Sequence, residues 1–269
     1  MRPLASLACA EQIEGMEPIS ITRAEGVLTL TLENGVAHPL SLGMIRALHE
    51  AVSAAQDDDE TRVILIHGPG RIFCAGHDLK EVAAHRADAD GGRAYVTELF
   101  TECAAMMQAV ANSHKPTVVR VEGLATAAGL QLIAACDLAF ASDNARFCLP
   151  GIRRGGFCTT PSVAVARATH RKALMALALT GEEKSADWAL SQGILTEVLP
   201  EAELPARVAE ITQTLASRFS AISQAGLAAT RAQMALPLDQ AYAVATEAMI
   251  GHFMDPALPD PPMGKKAAE

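Results

Sequence analysis

The first clear pattern along the chain is an alternation of apolar and polar residues from Ile19 to Glu33. This period of two, with a turn at Glu25-Gly26, predicts a β-hairpin. A helical period follows, because Ser41 precedes a set of apolar residues that share one helical face: Met44, Ile45, Leu48 and Val52. Ser41 is therefore predicted to cap an α-helix.

Short apolar runs then alternate with helical patterns. The runs are rich in β-branched or small apolar residues, which is typical of strands buried on both faces: Val63–Ile66, Thr117–Val121 and Leu138–Ala141. Helices are predicted at 93–112 and 127–135, and a loop from Pro150 through Gly156. This order predicts an α/β domain in which the loops that leave the strands hold the ligand.

From about Leu204 the pattern becomes purely helical, with apolar stripes but too little material for a separate core. We predict that residues 204–255 pack on the first part of the chain or on neighbouring subunits. Residues 1–15 carry no convincing secretory signal, and residues 256–269 contain four prolines and little apolar content. Both ends are predicted to be disordered.

Composition excludes several classes of function. Twenty-two basic and 31 acidic residues give a formal charge of -9, which does not attract nucleic acid. No apolar run is long enough to span a membrane. The six cysteines form no CxxC pair and have no histidine at metal-ligand spacing, so neither a metal site nor a disulfide framework is indicated. These features predict a cytoplasmic protein with reduced thiols.

Two segments combine a buried strand, a glycine-containing turn and the start of a helix. They are RIFCAGHDLKE at 71–81 and VEGLATAAGLQL at 121–132, the second running on to Cys136-Asp137. The first turn of a helix has unpaired backbone N–H groups and a partial positive charge. Two such turns that face each other form an oxyanion hole, which is suited to polarising the carbonyl of a thioester.

Together these segments strongly resemble those of the enoyl-CoA hydratase/isomerase (crotonase) superfamily. The resemblance extends from about Ile19 to Met249 and includes Thr180-Gly181-Glu182 and Val198-Leu199-Pro200. It implies an α/β spiral of strand-strand-helix repeats over 16–203 and a helical trimerisation region over 204–255. The implied assembly is a homotrimer or a hexamer.

The resemblance also assigns site residues. It places the oxyanion donors on the backbone N–H groups of His77 and Ala128, and it also assigns Gln131 to the catalytic site. Contacts to coenzyme A are expected from residues on the two loops: Ala75, Gly76, Asp78, Leu79, Lys80, Pro150 and Gly151. Coenzyme A enters as part of the acyl-CoA substrate, so no separate cofactor and no metal is expected.

The chain departs from the hydratase pattern at the two residues that move protons. Hydratases of this superfamily have glutamates where this chain has Gln131 and Gly151. Neither replacement exchanges a proton at neutral pH, so hydration by the usual route is in doubt. Three alternatives stay open: an acyl-CoA enzyme of undefined reaction, a decarboxylase or thioesterase-like enzyme, and a non-catalytic acyl-CoA-binding protein. A His77 side-chain base is a further hypothesis.

Overall fold

A seven-stranded sheet begins with the hairpin near the start of the chain. The computed structural model describes residues 11–12, 18–218 and 221–256. The strands of this first sheet, in spatial order, are β1 (Glu11–Gln12), β2 (Ile19–Ala24), β3 (Val27–Leu32), β4 (Val63–Gly68), β6 (Thr117–Val121), β8 (Leu138–Ser142) and β11 (Glu197–Leu199). The pairs β1–β2 and β2–β3 are antiparallel and the others are parallel. The predicted hairpin is thus confirmed.

A second, four-stranded sheet is built from shorter strands that follow those of the first. Its spatial order is β10 (Lys184–Ser185), β9 (Arg146–Cys148), β7 (Leu124–Thr126) and β5 (Ile72–Cys74). Each repeat of the chain therefore adds one strand to the first sheet and the next strand to the second. This is the predicted α/β spiral of the crotonase fold, which is confirmed.

Ten α-helices complete the described part of the chain. They are α1 (Leu42–Ala54), α2 (Leu79–Ala84), α3 (Arg93–Ala111), α4 (Ala128–Ala135), α5 (Thr159–Ala168), α6 (Arg171–Thr180), α7 (Ala186–Ser191), α8 (Leu204–Arg218), α9 (Ala221–Gln233) and α10 (Leu238–Met254). The Ser41 cap is confirmed, because its hydroxyl accepts a hydrogen bond from the N–H of Met44 at 3.1 Å. The apolar face of α1 lies in the main core with β2, β3, β4 and α3.

Helix α8 covers part of the outer face of the first sheet. Its fully buried Leu204 and Val208 share a small apolar cluster with strand residues that include Val63, Val118 and Phe140. The first compact unit accordingly runs to Ser217, whereas the sequence divided the chain after residue 203. Helix α8 thus supplies the outer layer of the spiral unit, because its apolar stripe needs the sheet as a partner.

The second compact unit begins at Arg218, and its described helices α9 and α10 pack against each other. Large apolar side chains are exposed on this unit, among them Met234, Leu238, Tyr242, Phe253 and Met254. A monomer rarely leaves so many large apolar groups in water. None of the described helices is both long and apolar enough to cross a membrane.

The two predicted disordered ends lie mostly outside the described residues. At the amino end, Glu11 and Gln12 form the short strand β1 against Arg23 and Thr22 of β2. The physical reason is that an edge strand offers unpaired backbone groups to any nearby extended segment. Residues 257–269 of the predicted disordered tail lie outside the described part of the chain.

The packing of α8 on the sheet yields the first prediction. Leu204→Ala removes a fully buried side chain and leaves a cavity, so we expect a loss of about 2–5 kcal/mol in the free energy of unfolding. Leu179→Ala on α6 is the matched control, since Leu179 is 59% exposed and should cost little. Chemical denaturation measures both variants. Equal losses of stability in the two variants would show that the packing of Leu204 on the sheet does not stabilise the fold.

Candidate active site

The candidate site lies where three parallel strands of the second sheet end. Ala125 pairs with Cys74, and Thr126 pairs with Cys148, so β5, β7 and β9 end at the same edge. The chain then leaves these strands through residues 75–77, 127–128 and 149–151 respectively. The carboxyl ends of parallel strands are the usual place for a ligand in an α/β fold. Segments far apart in the sequence are thereby brought together.

The turns after β5 and β7 touch at Gly76. A Cβ added there would lie 3.0 Å from the Cβ of Ala127 and 3.3 Å from the backbone nitrogen of Ala128. Gly76 also has a φ of +84°, a left-handed conformation that only glycine adopts at no steric cost. Both the spacing and the backbone angle therefore require glycine at this position.

The backbone N–H groups of His77 and Ala128 have no hydrogen-bond acceptor among the described residues. The neighbouring groups are paired: Leu40 donates to the Gly76 carbonyl at 2.8 Å, and Asp78 donates to the Leu40 carbonyl at 3.1 Å. Ala128 is the first residue of α4, where an N–H has no partner within the helix. The structure thus brings two unpaired donors onto adjacent turns.

Ala127 sets the direction of the second donor. It has a φ of +50° and a ψ of -117°, which is unusual for a residue with a side chain. Its N–H donates to the carbonyl of Cys148 at 3.1 Å, so the turn is tied to the end of β9. Strained backbone of this kind costs about 1–3 kcal/mol and concentrates at functional sites. Sequence reasoning assigned no role to Ala127, since alanine gives no signal of positive φ.

The imidazole of His77 is largely buried against α3. Its ring meets the ring of Phe100 edge-on at a centroid distance of 4.8 Å. Burial lowers the pKa of His77 to about 4, because the charged form loses its hydration. The imidazole is therefore neutral at physiological pH. Its Nε2 atom is buried without a hydrogen-bond partner.

Gln131 lies one turn into α4 and is 95% shielded from solvent, with an exposed fraction of 5%. Its N–H donates to the Ala127 carbonyl at 3.0 Å, while its side-chain Oε1 is buried and has no partner. Unpaired buried polar atoms usually cost about 1–3 kcal/mol, which is rarely tolerated without a function. The side chain has the polarity to contact a ligand but no group that titrates.

The residues expected to contact coenzyme A have different structural roles. Asp78 caps α2, since its carboxylate accepts hydrogen bonds from the N–H groups of Lys80 at 2.8 Å and Glu81 at 3.4 Å. Ala75 is exposed, and its carbonyl accepts a hydrogen bond from the Thr126 hydroxyl at 3.0 Å. Lys80 is exposed and has no ion pair within the described chain, so its charge is available to a ligand.

Large apolar side chains are also exposed along these segments. They follow the turns after β5 and β9 or contact His77, and they are 40–54% exposed: Leu79, Phe100, Ile152 and Phe157. The segments that form the site thus combine backbone donors with apolar surface. This combination suits a ligand with one polarised oxygen and an apolar chain.

Residues 150–154 form a 3₁₀ helix, Pro150–Arg154, and not the predicted loop. The prediction was wrong because Pro150 supplies the φ of a first helical residue. Gly151 packs tightly against the following turn, and a Cβ on it would lie 2.8 Å from the nitrogen and 2.9 Å from the Sγ of Cys158. The Gly151 N–H donates to that sulfur at 3.3 Å. Cys158 therefore fills the space beside Gly151.

The remaining cysteines and acidic groups do not form a metal centre. No cluster of three or more histidine, cysteine or acidic side chains is placed to hold a metal within the described ranges. Five cysteines have free thiols there, while Cys9 lies outside the described residues. Burial raises the pKa of the Cys158 thiol, and that of Cys148 to about 11, so both are protonated at neutral pH.

Comparison with known proteins identifies the class. The family model for enoyl-CoA hydratase/isomerase matches residues 22–257, so the chain belongs to this family. Human enoyl-CoA hydratase domain-containing protein 3, mitochondrial, is 38% identical over 237 residues, which cover 88% of this chain and 77% of the human protein. This result confirms the predicted superfamily.

Two further relatives support the assignment. A crystal structure of an enoyl-CoA hydratase/isomerase family protein from Silicibacter pomeroyi is 55% identical with a TM-score of 0.85, covering 88% of this chain and 99% of that one. Carnitinyl-CoA dehydratase of Escherichia coli K12 is 29% identical, covering 88% of this chain and 89% of the dehydratase. Members of the family are usually enzymes.

The predicted cytoplasmic location is wrong. The similar proteins from human, rat and mouse are mitochondrial by name, which contradicts it. Location depends on a leader that a receptor reads and that is removed from the mature protein. The composition of the folded domain and its reduced thiols do not carry that information.

The packing around Gly151 yields the second prediction. Gly151→Ala forces a Cβ against the backbone of Cys158, so we expect a loss of about 1–3 kcal/mol in the free energy of unfolding. Gly156→Ala is the matched control, because the nearest atom to a Cβ there is 3.8 Å away, an ordinary contact. Thermal and chemical denaturation measure both. A Gly151→Ala variant as stable as Gly156→Ala would contradict the packing described.

Proposed function

We propose that this chain binds an acyl-CoA thioester and polarises its carbonyl between the backbone N–H groups of His77 and Ala128. The observation that carries the proposal is the pair of unbonded donors on adjacent turns at the ends of β5 and β7. Membership of the enoyl-CoA hydratase/isomerase family supports it. Coenzyme A enters as part of the substrate, and the proposed chemistry requires no separate cofactor.

Polarisation by two donors stabilises negative charge on the thioester oxygen. As an enolate or tetrahedral intermediate forms, the oxygen gains charge and both hydrogen bonds strengthen. One such donor is worth about 2.7–4 kcal/mol in the transition state. The donors belong to the backbone, so the neutral imidazole of His77 is not needed for this step.

Hydration requires two further steps that these donors do not perform. Water must lose a proton as it attacks, and the α-carbon must gain one. Gln131 has no titrating group, and the space beside Gly151 is filled by the protonated thiol of Cys158. We therefore propose a thioester reaction other than efficient hydration of an unsaturated acyl group.

Decarboxylation is the second candidate, favoured by the lack of a carboxylate at positions 131 and 151. The bond between the α-carbon and the leaving carboxylate breaks, CO₂ departs, and its electron pair forms the enolate whose oxygen the two donors hold. Solvent then protonates the α-carbon. This route needs no protein base, in contrast with hydration. A thioesterase-like reaction or binding without turnover would use the same donors.

Several loop residues are proposed to hold the coenzyme A moiety. The exposed ammonium of Lys80 is suited to a phosphate, and the backbone of Ala75 and Gly76 lines the approach to His77. Leu79 and Pro150 offer apolar surface on the segments that follow β5 and β9. Asp78 acts through the α2 cap that positions Lys80.

The third prediction concerns thioester binding. The purified protein is titrated by calorimetry with butyryl-CoA, and the complex is crystallised. We expect the thioester oxygen within about 3.5 Å of both backbone nitrogens. His77→Ala keeps the backbone donor and should change the affinity by only a few-fold, since the imidazole is not the donor. Crotonyl-CoA should bind but should be hydrated weakly.

A variant of the turn and its control test whether the backbone donors hold the thioester. Gly76→Ala forces a Cβ to 3.3 Å from the Ala128 nitrogen at a φ of +84°, so it should displace the two donors and weaken binding at least tenfold, whereas Gly156→Ala, which meets only an ordinary contact, should not. Failure of every acyl-CoA to bind, or a thioester far from both nitrogens, would contradict the proposal. Rapid crotonyl-CoA hydration would show that another acid and base operate. Mass spectrometry of a CoA-ester panel, including malonyl-type esters, identifies the reaction.

We further propose that the chain assembles as a homotrimer or a hexamer through α9 and α10. The exposed apolar residues of that unit, such as Phe253 and Met254, support an interface. The fourth prediction is that sedimentation at micromolar concentration shows no stable monomer. The double variant Phe253→Glu/Met254→Glu should dissociate the assembly. A wild-type monomer would overturn the proposal.

A further inference from the structure

A groove lies on the outer face of the first sheet, beside the part that α8 covers. Strands β2, β3, β4 and β6 form its floor and α8 forms its wall, and its volume is about 190 Å³. A water molecule occupies about 30 Å³ in the liquid, so a ligand the size of a few waters fits. The groove shares no residue with the candidate active site. Its main lining residues are Thr22, Thr29, Leu65, Arg120, Thr212 and Gln213.

The polar side chains of this groove have few partners. Thr22 and Thr29 are directly opposite each other on β2 and β3. Their hydroxyls, and the amide of Gln213 on α8, make no side-chain hydrogen bond with any described residue. Thr212 differs, since its hydroxyl donates to carbonyls of its own helix. Three side chains are thus available to donate to a ligand.

Arg120 is held in place on the groove floor. Its Nε donates to Nδ1 of His67 at 3.2 Å and lies 3.4 Å from a carboxylate oxygen of Glu122. Its Nη2 lies 2.5 Å from Nε2 of His67. The other Glu122 oxygen accepts a hydrogen bond from the N–H of Gly70 at 3.2 Å. Nη1 of Arg120 has no partner within the described ranges. The guanidinium is therefore preorganised with one donor nitrogen, Nη1, free.

His67 supports this arrangement as a neutral group. It is 7% exposed, and burial together with the Arg120 charge lowers its pKa to about 4. At physiological pH it accepts a hydrogen bond from Arg120 and adds no charge. No carboxylate is among the lining residues of the groove, and Glu122, which pairs with Arg120, also accepts a hydrogen bond from the N–H of Gly70. The lining is therefore one cation among neutral donors and apolar walls.

We propose that this groove is a binding site for a small oxyanion, held by the free Nη1 of Arg120 and by the hydroxyls of Thr22 and Thr29. Arginine presents parallel donors that match phosphate and carboxylate oxygens. Free phosphate and the carboxylate of a small metabolite share this chemistry. The volume excludes an acyl-CoA, so the site is separate from the proposed thioester site.

The test uses the full-length protein and titrates inorganic phosphate and malonate by calorimetry at constant ionic strength. A ligand that binds only the folded state also raises the unfolding temperature, which gives a second readout. We expect saturable binding of at least one anion. Saturable binding of phosphate alone or of malonate alone identifies the kind of anion that the groove binds, and either result supports the site. Absence of saturable binding by either anion would overturn it.

Two variants and one control locate the site. Arg120→Gln removes the cation and should weaken binding at least tenfold. Thr22→Val/Thr29→Val preserves the shape of both side chains and the Arg120 cluster, and should weaken it about threefold to tenfold. Arg146→Gln is the control, because the Arg146 side chain donates only to the main-chain carbonyls of Asp143 and Ala145, in the turn before β9. It should leave binding unchanged.

Further outcomes contradict the proposal. Binding that persists unchanged in both groove variants places the anion elsewhere. Displacement of phosphate by free coenzyme A would mean that the anion occupies the coenzyme A site. A crystal structure with bound phosphate provides the direct check, since the anion should lie within hydrogen-bond distance of Arg120 Nη1.

Discussion

The parallel pairing of β5, β7 and β9 is the constraint on which the candidate site depends. Each strand has only three residues, so its own ladder hydrogen bonds are too few to hold it in place. The strands are fixed by side chains that point into the main core, and Phe73, Ala125 and Phe147 are fully buried. The core of the spiral thus determines the spacing of the three turns that follow.

Because the two proposed donors belong to the backbone, the polarisation that we propose does not depend on particular side chains. The turns need Gly76 for close approach and the unusual φ of Ala127, but His77 and Gln131 are free to vary chemically. Proton transfer, in contrast, needs a titrating group at a defined position. Tight packing of Cys158 on Gly151 removes the space for one. One scaffold can therefore keep thioester polarisation while the reaction changes.

The outer face of the first sheet has an apolar part and a polar part, and the two differ in how they are covered. Its apolar part needs a cover, which α8 supplies through Leu204 and Val208. Its polar part places Arg120 and His67 side by side on neighbouring central strands, where apolar residues are usual. The guanidinium of Arg120 is partly buried, with 21% of its side chain exposed, and its contacts with His67 and Glu122 compensate for the hydration that it loses. The donor nitrogen that these contacts leave free is the basis of the proposed anion site.

The sequence by itself determined the local elements, the family and the residues of the two turns. Periodicity predicted the hairpin, the Ser41-capped helix and the buried strands, because these depend on neighbours close in the chain. The short strands β7 and β9 and the 3₁₀ helix at Pro150 escaped prediction, whereas a buried strand was expected in the segment that contains β5. Three-residue strands carry too little periodicity, and their pairing is decided by distant residues.

Tertiary structure alone decided the contacts between segments that are distant in sequence. The touching turns at Gly76 and Ala128 and the burial of His77 against Phe100 are of this kind. So is the cluster of Arg120 with His67, which are 53 residues apart. The pattern of apolar residues along one segment shows which face of a helix or strand is apolar. Which element packs on that face, and how burial shifts the pKa of a group there, depend on the rest of the chain.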